Sequence, residues 1–130
     1  MVRKVMRRAA LAFSLACLCV AALASSGLAA GPEPVVPVKG MVTLVDFGAD
    51  YCPPCRLMVP VLQNAKKDYR GRASVVVVDV TEHAPLATRL GVRVIPTQIF
   101  YDRHGREVAR HEGYLDRREL GGQLDRMLGK

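Results

Sequence analysis

Val42-Thr43-Leu44-Val45-Asp46-Phe47-Gly48-Ala49-Asp50-Tyr51-Cys52-Pro53-Pro54-Cys55 is the stretch that decides the fold. From Met41 to Ala49 the run is apolar apart from Thr43 and Asp46, the pattern of a strand buried on both faces. It leads into two cysteines three positions apart, followed by Leu57, Val61 and Leu62 at helical spacing up to Tyr69, with Gly71 as the stop. A helix that begins at or just after Cys52 puts both thiols on one face, close enough to join or part with little backbone movement. Cys52 then sits at the helix N-terminus, where unpaired N–H groups and the macrodipole favour a thiolate, and is the attacking sulfur. Cys55, one turn deeper and expected to be less exposed, is the resolving thiol that breaks a mixed disulfide. Pro53 and Pro54 fit the first helical turn and stiffen it, but they remove two amides, so the depression of the Cys52 pKa is expected to be modest. Pro60 lies inside the helix and is expected to kink it.

Upstream, Arg3, Lys4, Arg7 and Arg8 precede an uncharged apolar run, Ala9 to Ala24, and a small-residue stretch ending near Ala30. Residues 1–30 are expected to be an export signal, with an uncleaved membrane anchor as the alternative because about 20 apolar residues suffice for a span. Cys17 and Cys19 fall inside it, which leaves Cys52 and Cys55 as the thiols of the mature chain. The segment carries four of the 19 basic residues and none of the 12 acidic ones, so the net charge of +7 falls to +3 without it. The remaining arginines are interleaved with acids, the pattern of a solvated surface, and a nucleic-acid partner is not expected. Residues 31–40, with Pro32, Pro34 and Pro37, read as an extended leader or spacer, and residues 41–130 as one domain.

Ala73 to Val80 is a β-branched run that predicts a second buried strand, and Ala84 to Leu90 a short helix ended by Gly91. Thr97 to Tyr101 and Glu107 to His111 flank Asp102-Arg103-His104-Gly105 and should pair as an antiparallel hairpin. Asp116 and Glu119 form a capping box for a last helix whose apolar face is Leu120, Leu124, Met127 and Leu128, with Gly129 as its end. Parallel βαβ, then a hairpin and a closing helix, is an α/β fold: a mixed four-stranded sheet flanked by helices.

Taken with Pro60, Val45-Asp46-Phe47, Gly91-Val92-Arg93-Val94-Ile95-Pro96-Thr97 and Gly113, the dithiol resembles the thioredoxin family from about Val42 to Leu128. The departures are Tyr51 where the family usually carries Trp, Pro53 where it usually carries Gly, and Val75-Val76-Val77-Val78 where many members place a lysine. The family's first strand and helix are shortened or missing. The resemblance implies that Pro96 is a cis-proline packed beside the dithiol, that Ile95 offers its backbone to a substrate segment, and that Gly113 keeps the groove open. An ordinary strand-start proline and a plain turn glycine are the other readings. Tyr51 either presents an aromatic surface to partners or is partly packed into the core.

Asp46 is a carboxylate in an apolar strand, so burial should raise its pKa and make it a candidate proton acceptor for Cys55. A buried Asp satisfied by backbone groups or water is the other reading. A Cys52–Cys55 bridge closes too short a loop to be a good staple, and structural zinc would want four ligands. The expected activity is thiol–disulfide exchange with exported, periplasmic proteins by a monomer, more as a reductant than as a disulfide-donating oxidase, with no cofactor or metal beyond the dithiol. By analogy, a membrane-embedded thiol electron donor recharges it and apocytochrome c is a client. The rival is a peptide-binding or chaperone-like module with an idle dithiol.

Overall fold

The computed structural model describes residues 31–130, so the candidate export segment 1–30 lies outside the described residues. Four strands, β1 (Val42–Gly48), β2 (Ala73–Asp79), β3 (Thr97–Tyr101) and β4 (Glu107–Glu112), form one sheet in the order β2-β1-β3-β4. β1 runs parallel to β2 and antiparallel to β3, which pairs antiparallel with β4. Helix α1 (Pro53–Asp68) makes the β1–β2 crossover, α2 (Ala84–Arg89) follows β2, and α3 (Arg117–Leu128) closes the chain. This is the expected mixed α/β arrangement, and among the described residues no strand or helix precedes β1.

Every residue of β1 is buried, as a strand flanked on both sides and covered on both faces must be. On one face Val42, Leu44 and Phe100 meet Met58, Leu62, Leu120 and Leu124 from α1 and α3; on the other Val45, Phe47 and Ile99 meet Leu86 and Ala87 of α2. Leu124 is fully buried in the first cluster. Leu124→Ala is therefore expected to cost about 2–5 kcal/mol, read as a lower urea midpoint at unchanged m, with the turnover of the folded protein unaltered.

Two expectations need correction. The valine run of β2 is an edge strand and only partly buried, with Val77 half exposed, because nothing among the described residues pairs with its outer side. Leu57 is exposed: with Cys55 turned inward, the helical phase buries Met58, Val61, Leu62 and Ala65 instead. Helix α1 runs unbroken through Pro60, which lies on its solvent side. At α3 the Asp116 carboxylate accepts the Glu119 N–H at 2.8 Å, and Gly129 ends the helix in the left-handed region at φ 79°.

The leader is not a free spacer over its whole length. Val36 packs against the α2-side core, the Val38 N–H donates to the buried Thr43 Oγ1 at 3.1 Å, and Glu33 pairs with Arg89. Its last residues thus cover apolar surface that would otherwise meet water. Among the described residues no helix is long and apolar enough to cross a membrane.

Candidate active site

Cys52 is the N-cap of α1, in extended backbone conformation (φ −91°, ψ 111°), with Pro53 and Pro54 as the first two helical residues. Since neither proline carries an N–H, the first amide of the helix is that of Cys55, and it points at Cys52 Sγ at 3.3 Å. The Arg56 N–H is taken by the Cys52 carbonyl at 3.2 Å. One backbone donor therefore serves the Cys52 sulfur. Arg56 also reaches back to the Asp50 carbonyl at 3.0 Å, tying the loop before the dithiol to the helix after it.

Cys52 and Cys55 are joined as a disulfide, with their Cα atoms 5.2 Å apart. The expectation that Cys55 is the less exposed of the two needs correction: with both sulfurs tied into the bridge, the residues are 6% and 7% exposed. Their surroundings distinguish them. Cys52 Sγ lies 3.8 Å from the Ile95 carbonyl oxygen, on the side where exposed Tyr51 and the Ile95 segment line a shallow cavity. Cys55 faces inward, toward Gly48 and Asp46: a Cβ placed on Gly48 would lie 3.5 Å from Cys55 Sγ and 3.7 Å from Asp46 Oδ2. The absence of a side chain at Gly48 leaves the carboxylate and the sulfur facing one common gap. A cavity of about 280 Å³, with Asp79 and His83 at its wall, joins both to solvent.

Asp46 is 2% exposed. Burial pushes its carboxyl from the usual 3.8 up to about 6, while the hydrogen bond from Gln98 pulls the other way. Gln98 stands directly opposite Asp46 in the β1–β3 register and donates from Nε2 to Asp46 Oδ1 at 2.7 Å. In the sequence Gln98 reads only as one residue of the Thr97 to Tyr101 hairpin strand, with no role in the site. The available signal was a glutamine among Thr97, Ile99, Phe100 and Tyr101 in a strand with no exposed face.

The Ile95–Pro96 peptide bond is cis, and Pro96 is buried. The Gly113 N–H donates to the Pro96 carbonyl at 2.7 Å, and Gly113 has φ 99°, which a residue with a side chain would adopt only under strain. Gly113 thus serves the turn out of β4 and also ties that turn to the proline. Thr97 Oγ1 donates to the Val94 carbonyl at 2.8 Å and supports the bend. Tyr51, at 69% exposed, is not a core residue and presents its ring beside the dithiol. Tyr51 and Ile95 thus lie on the outer side of Cys52, with Pro96 next to Ile95 and Gly113 bonded to Pro96, while Cys55, Asp46, Gly48 and Gln98 lie on the inner side. Among the described residues no three His, Cys, Asp or Glu side chains form a metal-holding group.

A sequence model of the Thioredoxin family matches residues 35–126. Among curated proteins, the thioredoxins of Staphylococcus aureus strains Mu50, MW2 and N315 are each 36% identical to this chain over 91 residues, covering 70% of it and 86% of their own length.

Proposed function

The chain belongs to the thioredoxin family and is a thiol–disulfide oxidoreductase, and from that premise we propose that it works as a reductant of disulfides in exported proteins. One observation carries the direction: a single backbone N–H, that of Cys55, reaches Cys52 Sγ. An oxidase of this kind is strong because its reduced form is stabilised, chiefly as the thiolate. Here the two prolines withhold the amides that would do so, and the nearby Asp46 carboxylate adds like charge, so the dithiol gives up its electrons more readily.

In the proposed cycle the Cys52 thiolate attacks a client disulfide; a Cys52–client bond forms, the client S–S bond breaks, and the first client sulfur leaves as a thiolate. Cys55 then gives its proton to Asp46 and attacks Cys52 Sγ. The Cys52–Cys55 bond forms, the bond to the client breaks, and the second client sulfur departs with the electron pair and takes a proton from solvent. The client gains two electrons and the dithiol loses two. Asp46 releases its proton through the cavity that it shares with Cys55. The basic and apolar character of residues 1–30 supports a periplasmic site of action, with cleavage of that segment or retention as an anchor as the two forms. A membrane-embedded dithiol donor completes the cycle in such a compartment, and apocytochrome c is one client of suitable chemistry.

Equilibration of residues 31–130 with glutathione buffers tests the direction. The expected potential lies nearer the roughly −270 mV of a reducing dithiol than the roughly −120 mV of a strong oxidase. A value near the latter would make the protein a disulfide donor. Absence of insulin reduction by the reduced protein would make it a binding module instead.

A further inference from the structure

The partner of Asp46 is unusual for a buried carboxyl, since it is neither a cation nor a backbone amide but a neutral side-chain amide from the neighbouring strand. Gln98 is fully buried, so its own two polar atoms need partners as much as the carboxyl does. Nε2 has one, Asp46 Oδ1. Oε1 has none. A buried amide oxygen left without a donor is a standing cost, and a hydrocarbon side chain of similar volume at this position would avoid it.

A glutamine differs from a lysine or a leucine here in one respect: it donates from one end of a planar group and accepts at the other. A cation opposite Asp46 would favour the carboxylate alone, and a leucine would favour the protonated acid alone. A neutral N–H on Oδ1 serves both states, since Oδ1 accepts as a carboxylate oxygen and as the carbonyl oxygen of an acid protonated at Oδ2. The two carboxylate oxygens are also divided in their surroundings. Oδ1 is held by Gln98, whereas Oδ2 faces the gap at Gly48 that Cys55 Sγ shares.

Resting on the reading of Asp46 as the proton acceptor of Cys55, we infer that Gln98 is the positioning residue of that step and holds the carboxyl in both charge states. With Asp46 ionised, the Gln98 N–H fixes Oδ1 and leaves Oδ2 aimed at the Cys55 thiol. Once Oδ2 has taken the proton, Oδ1 is the carbonyl oxygen of the acid and still accepts from the Gln98 N–H. The carboxyl is thereby held in one place in both charge states, within reach of the sulfur it serves.

Two measurements on residues 31–130 test this. The first is NMR on the reduced wild-type protein: the Gln98 side-chain amide resonances should titrate with the same midpoint as the Asp46 carboxyl carbon and stay flat with pH in Asp46→Asn. An amide that does not titrate with the carboxyl overturns the inference. The second is the rate of mixed-disulfide resolution against pH, followed in stopped flow by release of the client thiol. Gln98→Leu should move the acid limb upward by about one pH unit, slowing resolution about tenfold at pH 5 and about twofold at pH 7. Asp46→Asn should remove the acid limb centred near pH 6, leaving only the rise that follows the thiol's own ionisation at higher pH, and Gln98→Leu should then add no further change. If Asp46→Asn removes the limb and Gln98→Leu leaves it in place, Gln98 has no positioning role while the Asp46 reading stands. If Asp46→Asn leaves the limb intact, the Asp46 reading fails and this inference fails with it.

Discussion

Cys55→Ser is expected to stop the reaction half-way, with the client bound to Cys52 through a disulfide that nothing in the protein can break. Non-reducing electrophoresis and mass spectrometry would read covalent client complexes that vanish on adding a small dithiol. Cys52→Ser is expected to trap none, and in both variants insulin turnover falls by at least about a thousandfold, because a nucleophile and its resolving partner act as a unit. The assignment of roles depends on surroundings and not on access, since the two residues are almost equally buried in the disulfide state. Cys52 has the Ile95 carbonyl and the exposed ring of Tyr51 on its outer side, where an extended client segment would lie. Cys55 has Gly48 and Asp46 on its inner side, along the cavity walled by Asp79 and His83 and away from the Tyr51 and Ile95 surface. The opposite trapping pattern would make Cys55 the attacking sulfur, and with it Asp46 would lose the step it is placed to serve.

Much of this was open to reading from the chain because it is set by local spacing. The interval from Cys52 to Cys55, the turn at Asp102-Arg103-His104-Gly105 and the Asp116 cap are each decided within a few residues, and the structure has all three. What could not be read is set by partners far along the chain. Four consecutive valines look the same in a central and an edge strand, and only the sheet order exposes Val77. Leu57 and Met58 are both plausible core residues until the first helical turn fixes the phase. Gln98 acquires its meaning from a register that places it opposite a residue 52 positions earlier. The packing of Val36 and the Glu33–Arg89 pair are equally non-local, so a proline-rich stretch that reads as a spacer serves in part as a cover.

Asp46→Asn is expected to give a slower enzyme that is more stable at neutral pH. The sign follows from linkage: the folded carboxyl titrates at about 6, above the roughly 3.9 of an exposed chain, so between those values the unfolded state has already released a proton that the folded state still holds. Stability of the wild type therefore falls as pH rises through that window, and the full cost is present above about pH 6. A shift of about two units corresponds to roughly 3 kcal/mol. Asparagine has no charge to desolvate, yet it still accepts from Gln98 Nε2 and can donate to Gln98 Oε1, which has no partner in the wild type. The melting temperature at pH 8 should rise by about 10 °C or more, with the gain fading as pH falls from 6 toward 4. The kinetic cost is bounded by the thiol itself: with an unassisted pKa near 8.5, about 3% of Cys55 is thiolate at pH 7, so resolution should slow by about ten- to thirtyfold and recover as pH rises. Calorimetry at pH 4 and pH 8 together with stopped-flow resolution separates the two effects. A stability gain that is the same at both pH values would mean that the substitution relieves packing and not charge, and resolution that keeps its wild-type rate at pH 7 would remove Asp46 from the mechanism.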